Sequence, residues 1–222
     1  MKFHVMDREN WNREQYFEHY LELKCTFSMT VNVDITLLIE KVHQKGIKFY
    51  PTFIYIISRI INKHKEFRTC FNDEGVLGYW EEMIPSYTIF HKDDKSFSSI
   101  WTDYSSDFHI FYKNYEDDMR NYANVHGLFT KENIPPNVFP ISSIPWTSFT
   151  GFNINININI NINNDADYLL PIITCGKYFN EKNKVMLPVS LQVHHSVCDG
   201  YHASRFIEDL QELSNSCNEW LK

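Results

Sequence analysis

The 222-residue chain has no apolar run that approaches the ~18 residues a membrane-spanning helix needs. Its first ten residues hold no apolar signal-peptide core. It has no basic run either, and its net charge of −7 argues against a dedicated nucleic-acid binder. These absences predict a cytoplasmic protein with neither a membrane nor a nucleic acid as partner. Five cysteines stand singly at positions 25, 70, 175, 198 and 217, without a CxxC pair. That odd, scattered set argues against a disulfide framework or a structural zinc site, and free thiols in a reducing compartment fit it better. No Pro/Gly/Ser-rich linker divides the chain, so it reads as one domain over residues 1–222. The G-x-S-x-G elbow of a serine hydrolase is also missing.

What is present is an apolar, aromatic chain. Hydrophobic residues make up 43%, and 17 Phe with 13 Tyr suggest a packed interior and an aromatic ligand pocket. Asn10 is placed to cap a helix from Trp11 to about Leu21. Phe27, Met29, Val31 and Val33 alternate with polar residues, which is strand periodicity. Asp34 is placed to cap a second helix that Gly46 ends. Phe49 to about Lys63 reads as a buried helix with Pro51 in its first turn. Asn72-Asp73-Glu74-Gly75 reads as a hairpin turn, and Tyr87 to Phe90 as a strand. Ser106 is placed to cap a helix to about Tyr122. The second half reads as strands at Val138–Ser142, Thr147–Ile162, Leu169–Phe179 and Val185–His195, then an amphipathic helix from about His202 to Ser216. Helices mixed with long strands imply an α/β two-layer sandwich, a large mixed β-sheet with helices packed on one side.

Residues 153–163 alternate strictly between Asn and Ile. In a strand every Ile would face one side and every Asn the other. The run reads first as a repeat expansion that lengthened a strand, and second as an uncharged self-pairing edge.

The candidate chemistry lies near the C-terminus, in His194-His195-Ser196-Val197-Cys198-Asp199-Gly200. Imidazole is the usual side chain for moving a proton near neutral pH. Neighbours on a strand face opposite ways, so one histidine can be a base while the other packs elsewhere. His195, Asp199 and His202 offer metal-like donors, but their spacing crosses a strand, a turn and a helix start. Cys198 is a weak candidate nucleophile, and Ser142 and Ser148 are only candidates. Arg13, if it reaches the Asp199 turn, could pin that turn through a bidentate ion pair.

With these residues on the page, the chain resembles the type A chloramphenicol acetyltransferases along essentially its full length. The matching stretches include Asn10-Trp11 with Arg13, Lys48-Phe49-Tyr50-Pro51, Glu66-Phe67-Arg68 and Tyr87-Thr88-Ile89-Phe90-His91. Others are Phe97-Ser98-Ser99, Ile141-Ser142-Ser143-Ile144-Pro145-Trp146, Pro171-Ile172-Ile173-Thr174, Gly176-Lys177-Tyr178 and Gln192 to His202. The HHxxxDG motif alone is shared with lipoamide acyltransferases and peptide-synthetase condensation domains; the full set is far more specific.

The resemblance implies acetyl transfer from acetyl-CoA to the 3-hydroxyl of chloramphenicol, in a homotrimer with active sites at subunit interfaces and no metal. It implies that His195 is the general base and that Ser142 hydrogen-bonds the oxyanion. It implies that Thr174 supports the intermediate through water, and that Asp199 and Arg13 form a structural ion pair. Tyr20, Cys25, Phe27, Phe97, Ile154 and Ile156 match the antibiotic pocket. Tyr50, Trp146 and Tyr178 match coenzyme A contacts, with Lys48 and Lys177 as nearby cations. The departure is the Asn-Ile run, where about six residues are added; an even number keeps the in/out alternation of a strand. A related CoA-dependent O-acyltransferase with a different alcohol acceptor is the alternative reading. An inactive drug-binding or self-assembling homologue is a third, against which Ser142, His195 and Asp199 all being present argues.

Overall fold

Successive residues of a strand face opposite sides, and here one alternation runs in register across a whole sheet. The structure is a computed structural model and describes residues 2–154 and 168–222. Its strands are β1 (Phe3–Val5), β2 (Thr26–Asp34), β3 (Thr69–Phe71), β4 (Leu77–Trp80), β5 (Ile84–Phe90), β6 (Phe97–Trp101), β7 (Val138–Ile144), β8 (Ile172–Gly176), β9 (Phe179–Glu181) and β10 (Lys184–His194). Its helices are α1 (Glu14–Glu22), α2 (Thr36–Gln44), α3 (Phe49–Lys63), α4 (Phe108–Tyr122), α5 (Gly200–Asn215) and α6 (Cys217–Trp220).

The main sheet has the order β2-β10-β8-β7-β5-β6, with β9 also paired to β10; β1, β4 and β3 form a small second sheet. The pairs β5–β7 and β7–β8 are parallel, whereas β10 runs antiparallel to β8 and to β2. Across the main sheet one register row reads Met29, Leu191, Ile173, Ile141, Tyr87 and Ile100. All but Met29 are buried, in the same core as the apolar face of α3. The Tyr87 ring meets Tyr115 of α4 at 5.3 Å. The adjacent row, one residue along, reads Thr30, Ser190, Thr174 and Ser142. It puts hydroxyls on the opposite face. The sheet thus has one apolar face covered by helices and one face striped with hydroxyls, which is the expected two-layer α/β sandwich. No helix among the described residues is long and apolar enough to cross a membrane.

Several expected boundaries move, each for a local reason. The first helix starts at Glu14 rather than Trp11, because the Asn10 side chain donates to Asp7 (2.7 Å) instead of capping. Asp107, not Ser106, caps α4 by accepting from the backbone N–H groups of His109 and Ile110. The last long helix starts two residues earlier than expected, at Gly200, with Asp199 as its cap. The expected strand over Thr147–Ile162 is corrected in its described part, since Thr147–Ile154 is not a strand. Lys177 N–H donates to the Thr147 carbonyl (2.8 Å), and Phe152 and Ile154 bond to side chains rather than to a neighbouring strand. Ser190 Oγ donates to the Phe152 carbonyl (2.6 Å), and Phe152 N–H donates to Thr30 Oγ1 (3.3 Å). The Gln192 amide both accepts from and donates to Ile154 (2.8 and 2.7 Å). The rest of the Asn-Ile run, with Ile156, lies outside the described residues.

The apolar row makes a direct prediction. Ile173 is fully buried in its centre, so Ile173→Ala should cost about 2–5 kcal/mol through lost transfer energy and a residual cavity. The urea midpoint at fixed protein concentration checks it, and an unchanged midpoint would remove this row from the stabilising core.

Candidate active site

The histidine motif sits where β10 runs out. Cys198 N–H and Val197 N–H both turn back to the His194 carbonyl (3.0 and 3.2 Å), which ends the strand. His195 N–H instead donates to the Cys25 carbonyl (2.8 Å), just before β2. Asp199 then caps α5. Its carboxylate accepts from Tyr201 and His202 N–H, and the His202 ring accepts from Asp199 N–H (3.1 Å), a reciprocal capping box. Gly200 opens the helix.

The two histidines have separate surroundings. The His194 side chain is buried, and its Nδ1 accepts from Ser196 N–H (3.2 Å) with Ser196 Oγ at 2.7 Å. The His195 ring lies flat on Tyr20, centroids 3.8 Å apart and planes 4° from parallel. Phe27 meets it edge-on at 5.3 Å. Its Nδ1 is buried without a hydrogen-bond partner among the described residues. Nε2 is therefore the ring nitrogen left to face a substrate. His195, Tyr20, Cys25 and Phe27 form one cluster.

Arg13 reaches this turn from the start of α1. Its Nη1 donates to Asp199 Oδ2 (2.7 Å), and Nη2 lies 3.4 and 3.5 Å from the His195 and Ser196 carbonyls. Partial burial pushes the Asp199 carboxyl upward, but the Arg13 hydrogen bond and the neighbouring positive charges outweigh it and hold the carboxyl below its usual value. Among the described residues Asp199 makes no hydrogen bond to the His195 ring; its partners are Arg13 and the first turn of α5.

A second cluster lies elsewhere on the sheet. A cleft of about 910 Å³ opens where the parallel strands finish, against Phe90, Ile144 and Gly176, and beside Phe49 and Tyr50 of α3. Carboxyl ends of parallel strands are the usual ligand end of such sheets. Its walls bring together Ser142, Thr174, Phe97 and Ile154 with Tyr50, Trp146, Lys177 and Tyr178. Burial pushes the Tyr50 hydroxyl up and the Cys175 thiol up to about 11, so both stay neutral in this wall. Lys48 is outside this lining, and its backbone N–H donates to Tyr112 Oη (3.0 Å). Sequence reasoning missed Phe90, Lys95, Phe152 and Pro145 as further lining. Pro145 precedes Trp146 directly in the chain and Phe152 lies close before Ile154, whereas Phe90 meets Phe97 across the β5–β6 turn that carries Lys95, which no single-strand pattern reveals.

The two clusters do not meet within one chain. Ser190 pairs with Thr174, and His195 lies five positions beyond Ser190, roughly 17 Å farther along the strand direction. Because β10 is antiparallel to β8, that end is where the parallel strands begin, away from the cleft. A general base must come within ~3 Å of its proton.

Two rival chemistries lose support. Cys198 is buried, and burial pushes its thiol far above the usual range, so it is not a thiolate nucleophile. Among the described residues His195, Asp199 and His202 do not converge as a metal-ligand set.

A family model described as chloramphenicol acetyltransferase matches residues 1–211. Among curated relatives, a chloramphenicol acetyltransferase of Clostridium perfringens is 55% identical over all of this chain and 99% of its own length. One of Clostridium butyricum is 54% identical over 100% of this chain and 99% of its own, and one of Staphylococcus aureus is 51% identical over the full length of both. A solved chloramphenicol acetyltransferase superposes with a TM-score of 0.81 at 20% identity, covering 95% of this chain and 99% of its own. A dihydrolipoamide acetyltransferase of Azotobacter vinelandii superposes with a TM-score of 0.65 at 16% identity, covering 94% of this chain and 88% of its own. These superpositions show a shared fold.

Two predictions follow from the turn. Asp199→Asn keeps a good cap but loses the ion pair. A depressed carboxyl contributes stability that is present above its unfolded pKa of ~3.9 and is lost as pH falls through the lower folded value. The variant should melt below the parent near neutral pH, by at most about 1 kcal/mol given solvent screening, and the gap should close in acid. A gap that is constant with pH would contradict the ion pair. Separately, Cys198 should resist iodoacetamide in the native protein; rapid alkylation at neutral pH, read by peptide mass, would refute the buried-thiol assignment.

Proposed function

The chain belongs to the chloramphenicol acetyltransferase family, and on that premise we propose how its residues carry the reaction. It is an acyltransferase that acetylates chloramphenicol. We read residues 1–222 as one acetyltransferase domain, acetyl-CoA as the donor, and the antibiotic's 3-hydroxyl as the acceptor. The supporting observation is the split site: the candidate base lies at one end of the sheet and the candidate oxyanion and ligand residues at the other. Neither half is complete alone. A closed ring of copies, with one chain's His195 end against the next chain's cleft, joins them. This supports a homotrimer with three interfacial sites.

In this arrangement the antibiotic lies between the Tyr20, Cys25 and Phe27 cluster of one copy and Phe97 and Ile154 of the next. An aromatic, apolar enclosure suits a nitrophenyl ring. Tyr50, Trp146 and Tyr178 in the same cleft offer apolar surface to the donor's chain, with the exposed Lys177 at its rim. Lys48, outside the lining, is at most a distant cation for the donor's phosphates.

His195 Nε2 takes the proton of the acceptor hydroxyl as its oxygen attacks the thioester carbonyl. Ser142 Oγ–H donates to the oxygen that becomes negative, and Thr174, one strand away on the same hydroxyl row, supports the intermediate through a water. Collapse breaks the carbon–sulfur bond, and the proton on His195 passes to the leaving thiolate. No acyl-enzyme forms. Parallel stacking on Tyr20 and the Arg13 contacts to the turn keep the ring aimed, which is where positioning lowers the barrier.

His195→Ala should lower kcat/KM for chloramphenicol by at least ~10²-fold, and Ser142→Ala by roughly 10²-fold, read by thiol release. Subunit mixing separates the shared site from an intrachain one. Co-refolded His195→Ala and Ser142→Ala chains should regain about a quarter of the parent's sites, since random closed rings restore that share of interfaces. No recovery in mixed oligomers would overturn the interfacial site. Parent-level turnover by His195→Ala would overturn the base.

A further inference from the structure

The β5–β6 hairpin carries a cluster that the acetyl-transfer site does not use. Its turn holds His91, Asp93 and Asp94, and His126 reaches it from the segment after α4. One possible ligand atom from each of His91, Asp93 and His126 lies within 4.8 Å of the others. His91 is buried; the other two are exposed.

Hydrogen bonds assign the lone pairs. Ser98 Oγ donates to the Val125 carbonyl (3.0 Å) and lies 2.7 Å from His91 Nε2. A hydroxyl has one proton, so Ser98 accepts from His91 Nε2–H. That leaves Nδ1 of His91 with a free lone pair. His126 stands between two carboxylates, with Nδ1 2.9 Å from Asp94 Oδ2 and Nε2 3.3 Å from Asp93 Oδ2, and the second gap is one that either a proton or a metal ion can bridge. A metal ion can take the place of the proton as the positive centre between these two atoms. Zinc bonds of ~2.0–2.2 Å at a tetrahedral angle put neighbouring ligands roughly 3.4 Å apart, so this pair is already spaced for one. Asp94 behind His126 supplies the carboxylate–histidine support that metal-binding imidazoles use.

We propose that His91, Asp93 and His126 bind a divalent transition-metal ion, with zinc as the best-matched ion and water in the fourth position. The stacked rings, 4.1 Å apart and 22° from parallel, must tilt to converge. A turn with an exposed Asp93 permits that adjustment. The ion would tie the hairpin turn to the segment at Val125 and His126. Phe90, Lys95 and Phe97 of the same hairpin line the cleft, so binding would stiffen one of its walls. The role is structural and separate from proton transfer at His195.

The test titrates Zn²⁺ into chelator-stripped full-length protein, with calorimetry and thermal melting. One equivalent per chain should bind, and zinc a hundredfold above its Kd should raise Tm by roughly 5–10 °C. His126→Gln and Asp93→Asn change exposed residues, and each should weaken zinc binding at least about tenfold, as should Asp94→Asn through lost support. Co²⁺ as a probe should give visible bands of a nitrogen/oxygen site. Three results would overturn the proposal: no zinc-dependent heat or Tm rise, equal affinity in the parent and His126→Gln, or a thiolate charge-transfer band with cobalt.

Discussion

The direction of β10 decides where the two halves of the candidate site lie. It pairs antiparallel with β8 while β8, β7 and β5 run together. A side chain at its exit is therefore carried to the end where the parallel strands begin, and the cleft forms where they finish. One strand's polarity separates the proposed base from the groups proposed to stabilise the developing oxyanion. A separation of this size cannot be closed by side-chain rotation, which is why the proposed reading calls on a neighbouring copy to close it. The hydroxyl row of Thr30, Ser190, Thr174 and Ser142 belongs to the same constraint: it lies opposite the core, where Phe152 takes up Thr30 and Ser190 and the cleft takes Thr174 and Ser142.

That geometry also sorts the roles of charged and aromatic neighbours around His195. In many acid–base sites a carboxylate orients the imidazole. Here the nearby carboxylate is committed to the α5 cap and to Arg13, and the ring is held by stacking on Tyr20 and an edge from Phe27. Arg13 acts one step back, on the carbonyls and carboxylate of the turn. Orientation by packing costs no buried ion pair beside the proposed base. It also makes the base sensitive to the shape of α1, since Tyr20 and Arg13 both come from that helix or its cap.

Much of this was legible in the residues. Strand alternation from Phe27 to Val33 and the run Val185 to His195 exposed the two strands that meet at the histidine, and α3 was legible from end to end. The motif residues, read with the family resemblance, pointed to Arg13 with Asp199, which the structure pairs, and to Ser142 with Thr174, which it puts in one cleft; the role of His195 belongs to the proposal. What was not legible was everything set by tertiary partners. Thr147 to Ile154 has strand-like composition, yet the side chains of Ser190, Gln192 and Thr30 take its backbone hydrogen bonds, and the segment is not a strand. Asn10 is a good capping residue, yet Asp7 competes for its side chain. The short strands β1 and β6 carry too few residues for periodicity to register. The partition of Tyr20, Cys25 and Phe27 from Phe97 and Ile154 follows from strand direction, and a linear pattern contains no direction.

The same reasoning explains why a zinc site escapes a sequence search here. His91 and Asp93 are close in the chain, but His126 is more than thirty positions away, and no metal spacing motif links them. They meet because β6 returns Ser98 alongside His91, and because Ser98 in turn holds Val125, next to His126. One hydroxyl fixes both the tautomer of the buried histidine and the approach of the exposed one. The hairpin that carries this contact also carries Phe90 and Phe97 into the cleft, so rigidity at the turn and shape at the ligand wall are properties of one short element. An ion at the turn would act on ligand affinity through the backbone of β5 and β6, without contacting any group that moves a proton.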